Sequence, residues 1–197
     1  EASSIDAHAI RCDVADVEQV REAWAQTEVI AGGRVHALFA NAGRSGGNID
    51  PLEVSLDEWR AVMSVNLDGM FLVAQAVGRQ MIAQGKGGSI VQTASIYGIM
   101  APDHRIYEGS FYLNRQINSP AVYAASKAGV IGLTKYLATY WADKGIRVNT
   151  LTPGGTESGQ NDEFKRRYSA RIPMNRMARA HEMVGALLYL ASDASSY

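Results

Sequence analysis

The pentapeptide Tyr123-Ala-Ala-Ser-Lys127 opens a run, Ala128-Gly-Val-Ile-Gly-Leu-Thr-Lys-Tyr-Leu-Ala138, whose residues suit a helix. Residues four apart on a helix share a face, so the Tyr123 phenol and the Lys127 ammonium stand side by side. A free phenol titrates near pH ~10 and exchanges protons poorly at neutral pH. A fixed positive charge beside it favours the phenolate, which makes such a pair a route to a tyrosine acid/base. Tyr and Lys at this spacing also occur on many solvated helix faces, so the pair needs support from the rest of the chain.

That support comes from the elements that would position it. His8-Ala-Ile-Arg-Cys12 reads as a strand ending at Asp13, followed by a helix capped by Asp16 and running to about Val29. Val17, Val20, Ala23 and Trp24 share its apolar face, and Gly32-Gly33 breaks it. Val35-His-Ala-Leu-Phe-Ala40 is a continuous apolar run, as expected of a parallel strand buried on both faces. It enters the small-residue turn Asn41-Ala42-Gly43, and Gly46-Gly47-Asn48 continues as a loop. Ser55-Leu-Asp-Glu58 is a capping-box pattern that starts a long helix to about Gln84. Asn66, a poor helix former, interrupts the apolar interior of that helix as either a local irregularity or a functional group. Gly85-Lys-Gly-Gly88 ends it. Ser89-Ile-Val-Gln-Thr-Ala94 is the next strand, with Ser95 at its end. Residues 96–120 show little periodicity. The Tyr123 helix spans about Ala121 to Asp143, Ile146-Arg-Val-Asn-Thr-Leu151 is a strand, and Thr152-Pro153-Gly154-Gly155-Thr156 turns at its end. Helices over about Gln160–Ala170 and His181–Ser192 follow.

Strands alternating with helices predict an α/β fold, a doubly wound parallel sheet with right-handed crossovers, in one domain spanning residues 1–197. Ligands of such sheets bind beyond the carboxyl ends of the strands. Asp13, Asn41, Ser95 and Pro153-Gly154 all fall at such ends, and therefore converge on one edge.

The 197 residues are 47% hydrophobic and 20% charged, with a net charge of -1. That composition suits a core-forming domain and gives no reason to expect a nucleic-acid or anionic-membrane partner. No run reads as long and apolar enough to span a bilayer, and no metal site is expected. One cysteine, Cys12, excludes an internal disulfide framework, fits a reducing, cytoplasmic compartment and is expected to pack rather than react.

Together these residues resemble the short-chain dehydrogenase/reductase family of the classical type. The resemblance rests on Asp13-Val14, Asn41-Ala42-Gly43, Val65-Asn66-Leu67-Asp68-Gly69, Ser95-Ile-Tyr-Gly98, Tyr123-Ala-Ala-Ser-Lys127 with Ala128-Gly129, Arg147-Val-Asn149 and Pro153-Gly154, in that order. It implies a Rossmann-like three-layer sandwich and NAD(P)-dependent interconversion of a secondary alcohol and a ketone. Tyr123 would move the proton at the reacting oxygen, and Ser95 would hydrogen-bond that oxygen. Lys127 would hold the nicotinamide ribose and lower the Tyr123 pKa. Asn66 would fix a kink and hold a relay water. Asp13-Val14 would meet the adenine, and Asn41-Ala42-Gly43 and Thr93 would line the cofactor. Pro153, Gly154 and Thr156, or Ser158 in its place, would close over the nicotinamide. NAD and NADP are not distinguished.

One departure stands out: the family's opening strand and Gly-rich phosphate turn have no counterpart, nor does its final strand. The chain is thus expected to be a fragment, incomplete at both ends. A catalytically silent assembly unit is one rival reading, and a nucleotide-sugar epimerase or dehydratase another. The two long helices carry Val73, Ala74, Val77, Val130, Leu133, Leu137, Tyr140 and Trp141, more apolar surface than one sheet face should need, so a homodimer or homotetramer is expected. The segment between Ser95 and Tyr123 is longer than in most of the family. It is expected to bind a polar, sugar- or polyol-like small molecule through Ser95, Tyr97, Tyr107, Glu108 and Arg115, with Arg115 alternatively meeting a phosphate or carboxylate.

Overall fold

The computed structural model describes residues 6–47 and 50–197; Asn48, expected in a loop, lies outside the described residues. Helix α1 (Val17–Ile30) starts where Asp16 accepts from the backbone N–H of Glu18 and Gln19. Strand β1 (Ala37–Ala40), helices α2 (Leu56–Met63) and α3 (Gly69–Gln84), and strand β2 (Gly88–Thr93) follow. A hairpin of β3 (Phe111–Tyr112) and β4 (Arg115–Gln116) precedes helix α4 (Ala121–Tyr140) and strand β5 (Ile146–Leu151). Helices α5 (Asp162–Ser169) and α6 (Val184–Ala191) end the order.

The main sheet is parallel, in the order β1-β2-β5. Side chains alternate across it. Ile90 and Val148 face α3 and α4, in a core with Ala74, Val77, Met81, Leu137 and Ile146. Their neighbours Ser89 and Arg147 face the other way, and both donate to the Leu190 carbonyl at the end of α6. Helices on both faces make the three layers.

Four expectations change. His8–Asp13 forms no strand. A strand needs a hydrogen-bonded neighbour to satisfy its backbone, and the described residues supply none beside this segment. β1 is an edge strand rather than one buried on both faces, with Phe39 41% exposed. It is also shorter than expected, because the Gln84 side chain, not a strand, satisfies both the N–H and the carbonyl of Val35. The helical run Leu56–Gln84 is by length and composition apolar enough to cross a membrane, with a mean hydropathy of 1.4 in its most apolar window. Here it lies along the sheet with Met70, Ala74, Val77 and Met81 buried.

Fourth, much of the apolar surface expected to meet another subunit is spent inside this chain. Ala74, Val77, Val130 and Leu137 are core residues, and Leu133 and Trp141 pack against them. Tyr140 remains exposed, stacked on Tyr136 with ring centroids 5.7 Å apart. Cys12 is half-buried, and burial, with Asp13 and Asp16 nearby, pushes its thiol pKa up.

Because Met81 is fully buried between α3 and the sheet, Met81→Ala is expected to destabilise the protein by about 2–5 kcal/mol. Denaturant unfolding checks this, and a loss below about 1 kcal/mol would mean that the site collapses around the gap.

Candidate functional site

Helix α4 begins at Pro120, whose extended backbone precedes the first turn. Tyr123 is half-buried and Lys127 buried. The Lys127 Nζ lies 5.7 Å from the centre of the Tyr123 ring and donates to the Thr93 carbonyl at 2.8 Å. The i, i+4 pairing is therefore real, and the ammonium reaches past the ring to the end of β2. Burial pulls the Lys127 pKa down from 10.5 to about 8.

Asn66 sits in a single π-helical turn, Ser64–Asp68, between α2 and α3. Such a turn inserts one residue into a helix and re-aims the side chains beyond it. The Asn66 side chain is fully buried and fully used. Its Oδ1 accepts from the Arg44 N–H at 2.8 Å, and its Nδ2 donates to the Arg44 carbonyl and to Ser126 Oγ, both at 2.9 Å. Ser126 Oγ in turn donates to the Tyr123 carbonyl. Ser126 went unnoticed in the sequence; its place inside Tyr123-Ala-Ala-Ser-Lys127 was the available signal. The capping box is only half made. Ser55 Oγ accepts from the Glu58 N–H, while the Glu58 carboxylate turns instead to the Gly47 N–H at 2.8 Å.

Ser95 is buried at the head of a 3₁₀ turn, Ile96–Gly98, and its Oγ accepts from the Tyr97 N–H. This turn lies against α4 so closely that a Cβ on Gly98 would come within 2.7 Å of the Lys127 backbone carbonyl. Only glycine permits that approach, which sets Ser95 beside Tyr123. The Ile96 N–H donates to the Pro153 carbonyl, drawing the end of β5 to the same place.

The residues assigned to a cofactor lie alongside. Thr93 Oγ1 donates to Asn41 Oδ1 at 2.9 Å. Gly43 leaves a space in which a Cβ would stand 3.5 Å from Lys127 Nζ and 3.4 Å from Asn66 Oδ1. Val14, Asn41 and Ala42 line an apolar groove of 160 Å³ with Ala40, Gly69 and Met70. Asp13 closes the turn before α1 by accepting from the Ala15 N–H. Thr156 bridges to Ala178 and does not line the main cleft, and Ser158 is exposed.

That cleft, 270 Å³, opens over Ser95 and Tyr123. Tyr97, Tyr107, Gly154 and Gly155 line it, as do Tyr112 and Asn118 from the expected loop, and Ser119, Gln160 and Tyr168, which the sequence did not single out. The segment 96–120 is not structureless. It holds a 3₁₀ turn, His104–Tyr107, and the β3–β4 hairpin, closed by Leu113 and Asn114 at φ 48° and 62°, the left-handed pair of a tight two-residue hairpin turn. Ile106 and Tyr107 pack with Phe164, Tyr168 and Met177 in a second small core. Glu108 and Arg115 point elsewhere. Glu108 pairs with Arg167 at 3.1 Å, and Arg115 is exposed on β4 and lines no part of the cleft. Arg166 and Arg167 also hold the Glu163 carboxyl down to about 2.

Residues 1–112 match the family model for short chain dehydrogenases, and residues 99–197 match the enoyl-(acyl carrier protein) reductase model. The D-threitol dehydrogenase of Mycolicibacterium smegmatis is 37% identical over 191 residues, covering 94% of this chain and 66% of the relative. The chain thus spans about two thirds of the length of that curated relative. A short chain dehydrogenase from Leptospira borgpetersenii, solved with bound NAD+, superposes with a TM-score of 0.86 at 34% identity, over all of this chain and 75% of that one. A gluconate 5-dehydrogenase from Burkholderia cenocepacia, in complex with NADP and tartrate, gives 0.79 at 35% identity, over 93% and 68%.

Two outcomes follow from the geometry. Lys127 has a lower pKa folded than unfolded, so between about pH 8 and 10.5 the unfolded chain binds more protons and stability rises with pH. Relative to Lys127→Met, the native protein should gain up to about 3 kcal/mol across that window; a pH-independent difference would contradict the burial cost. Asn66→Ala strands the Arg44 N–H and should cost about 1–3 kcal/mol in denaturant unfolding, with stability unchanged as the contrary result.

Proposed function

We propose, since this chain belongs to the short-chain dehydrogenase/reductase family, that the protein interconverts a secondary alcohol and a ketone using NAD or NADP, with a polar, polyol- or sugar-like substrate. The observation that carries this reading is the meeting of Ser95 and Tyr123 in one cleft, with Lys127 and Asn66 directly behind them.

The residues present fit a nicotinamide cofactor. The space left by Gly43 beside Lys127 is a cradle that any side chain would fill. Lys127 has three N–H donors and spends one on Thr93, so it can also hold a ribose. The groove along Val14, Asn41 and Ala42 suits the adenine end, and Pro153 and Gly154 flank the nicotinamide end. The bound nicotinamide supplies or accepts the hydride. Ser95 holds the substrate oxygen by a hydrogen bond. Tyr123 gives a proton to that oxygen in reduction and takes it in oxidation. Lys127 stands near enough to favour the charge that Tyr123 carries after giving its proton. Asn66 acts through others, tying the Arg44 backbone and Ser126 to the π turn so that α4 keeps its position.

The test is turnover by the intact protein, followed by nicotinamide absorbance, with NAD and NADP and a panel of secondary alcohols, polyols and ketones. Tyr123→Phe keeps the ring and removes the proton, so kcat should fall about 10²–10⁴-fold while cofactor affinity stays within about threefold. Lys127→Ala should lose both turnover and cofactor affinity. Near-normal kcat in Tyr123→Phe would remove Tyr123 from its role. Absence of turnover with every alcohol and ketone, in protein that binds the cofactor, would overturn the function.

A further inference from the structure

Among the described residues that line the cleft over Ser95 and Tyr123 there is no Arg, Lys, His, Asp or Glu. What lines it instead is hydroxyl, amide and aromatic surface set among the apolar side chains of Ile96, Ile117, Pro120 and Met177. Five tyrosines, 97, 107, 112, 123 and 168, contribute, with Ser45, Ser119, Asn118 and Gln160.

Three of the tyrosines form a connected set. The Tyr107 and Tyr97 hydroxyls are hydrogen-bonded at 3.1 Å. The Tyr168 hydroxyl also interacts with Tyr97, and the Tyr168 ring packs on Gly155. Burial is the first cause of a raised pKa in all three, so they remain neutral phenols. Charge on Tyr123 would raise each of them further, which puts the whole set within electrostatic reach of the proton-handling phenol. Tyr97 lies two residues beyond Ser95 on the same 3₁₀ turn, so its hydroxyl has a fixed place relative to the oxygen that Ser95 would hold.

We infer that this cleft selects an uncharged polyhydroxylated substrate, and that the Tyr97 hydroxyl, held by Tyr107 and Tyr168, is the specificity-determining group that reads a substrate hydroxyl other than the reacting one. The inference rests on the oxidoreductase reading above and narrows its substrate class. A carboxylate or phosphate entering this cleft gives up hydration and finds no cation in return. A polyol meets phenols that both donate and accept, while its C–H faces lie against aromatic rings. The exposed Arg115, the one residue assigned to an anionic substrate from the sequence, stands outside the lining. A site built to hydrogen-bond a substrate hydroxyl also rejects the analogue that lacks it, because its own polar groups are then left unpaired.

The experiment compares a neutral polyol series (threitol, galactitol, mannitol), gluconate, and the simple secondary alcohol 2-butanol in the intact protein with NAD and NADP. The wild type should prefer its best polyol to gluconate and to 2-butanol in kcat/KM, each by about tenfold or more. Tyr97→Phe should lower the polyol-to-2-butanol ratio at least about tenfold, mainly through the polyol KM. A purely structural brace would lower both substrates alike and leave the ratio in place, which would overturn the role of Tyr97. Tyr112→Arg, on the half-open hairpin rim where a long side chain has room, should shift the ratio toward gluconate about tenfold; this arm stands even where Tyr97→Phe folds poorly. A wild type that favours gluconate, or that oxidises 2-butanol as well as any polyol, overturns the substrate class while the oxidoreductase reading survives. Failure with every alcohol and ketone overturns both.

Discussion

The arrangement depends on one buried amide. Asn66 is entirely enclosed, and each of its polar atoms is engaged: its oxygen by the Arg44 N–H, its nitrogen by the Arg44 carbonyl and Ser126. Those three bonds join the turn after β1, the π turn of the long helix and the first turns of α4. Removing one partner from such a set leaves buried groups unsatisfied, which is costlier than never having made the bonds. The π turn is what lets a single side chain reach both neighbours, since an unbroken α-helix would carry the residues beyond Asn66 round to other directions. Lys127 repeats the logic, spanning from α4 to the end of β2. The sheet thus delivers its strand ends to one edge, and two polar side chains lock that edge to the helix that bears the phenol.

How far this was legible in the sequence depended on whether a feature is local. The runs that became β2 and β5, the cap at Asp16 and the helix start at Ser55 are written in neighbouring residues, and they appear within a residue or two of expectation. The position of Ser95 near Tyr123 was readable because strand ends in a parallel sheet must converge, that of Lys127 from its i, i+4 spacing, and that of Asn66 only through the family resemblance. Features that need a partner were not readable. His8–Asp13 has strand-like residues but no ladder among the described residues, and Val35 takes its hydrogen bonds from the Gln84 side chain. Glu58 matched a capping box in spacing, yet a loop N–H won its carboxylate.

The substrate wall was the least legible part. Between Ser95 and Tyr123 no periodicity gives away the hairpin, because two-residue strands are too short to show alternation and its turn uses Leu113-Asn114 rather than Asn-Gly. Glu108 and Arg115 were singled out for their charge, but charge sends them outward to Arg167 and to solvent. Gln160 and Tyr168 lie well beyond Tyr123 in the chain and enter the cleft because Gln160 bridges to Tyr112 and α5 packs against the His104–Tyr107 turn. Asn161 caps α5 and binds the Phe111 N–H and the Gly109 carbonyl at once.

The second small core, Ile106, Tyr107, Phe164, Tyr168 and Met177, touches the sheet-borne core only through its margins. The two walls of the cleft thus have different cores behind them and meet where Tyr97 bonds Tyr107 and where the Tyr168 ring packs on Gly155. The wall that bears Ser95 and Tyr123 is held by the sheet, the π turn and α4. The opposite wall has its own packing, its own caps and an outer belt of ion pairs among Glu108, Glu163, Arg166 and Arg167. Residues 103–119 and 159–177, which supply this wall, are therefore the stretches through which the shape of the cleft is most directly set.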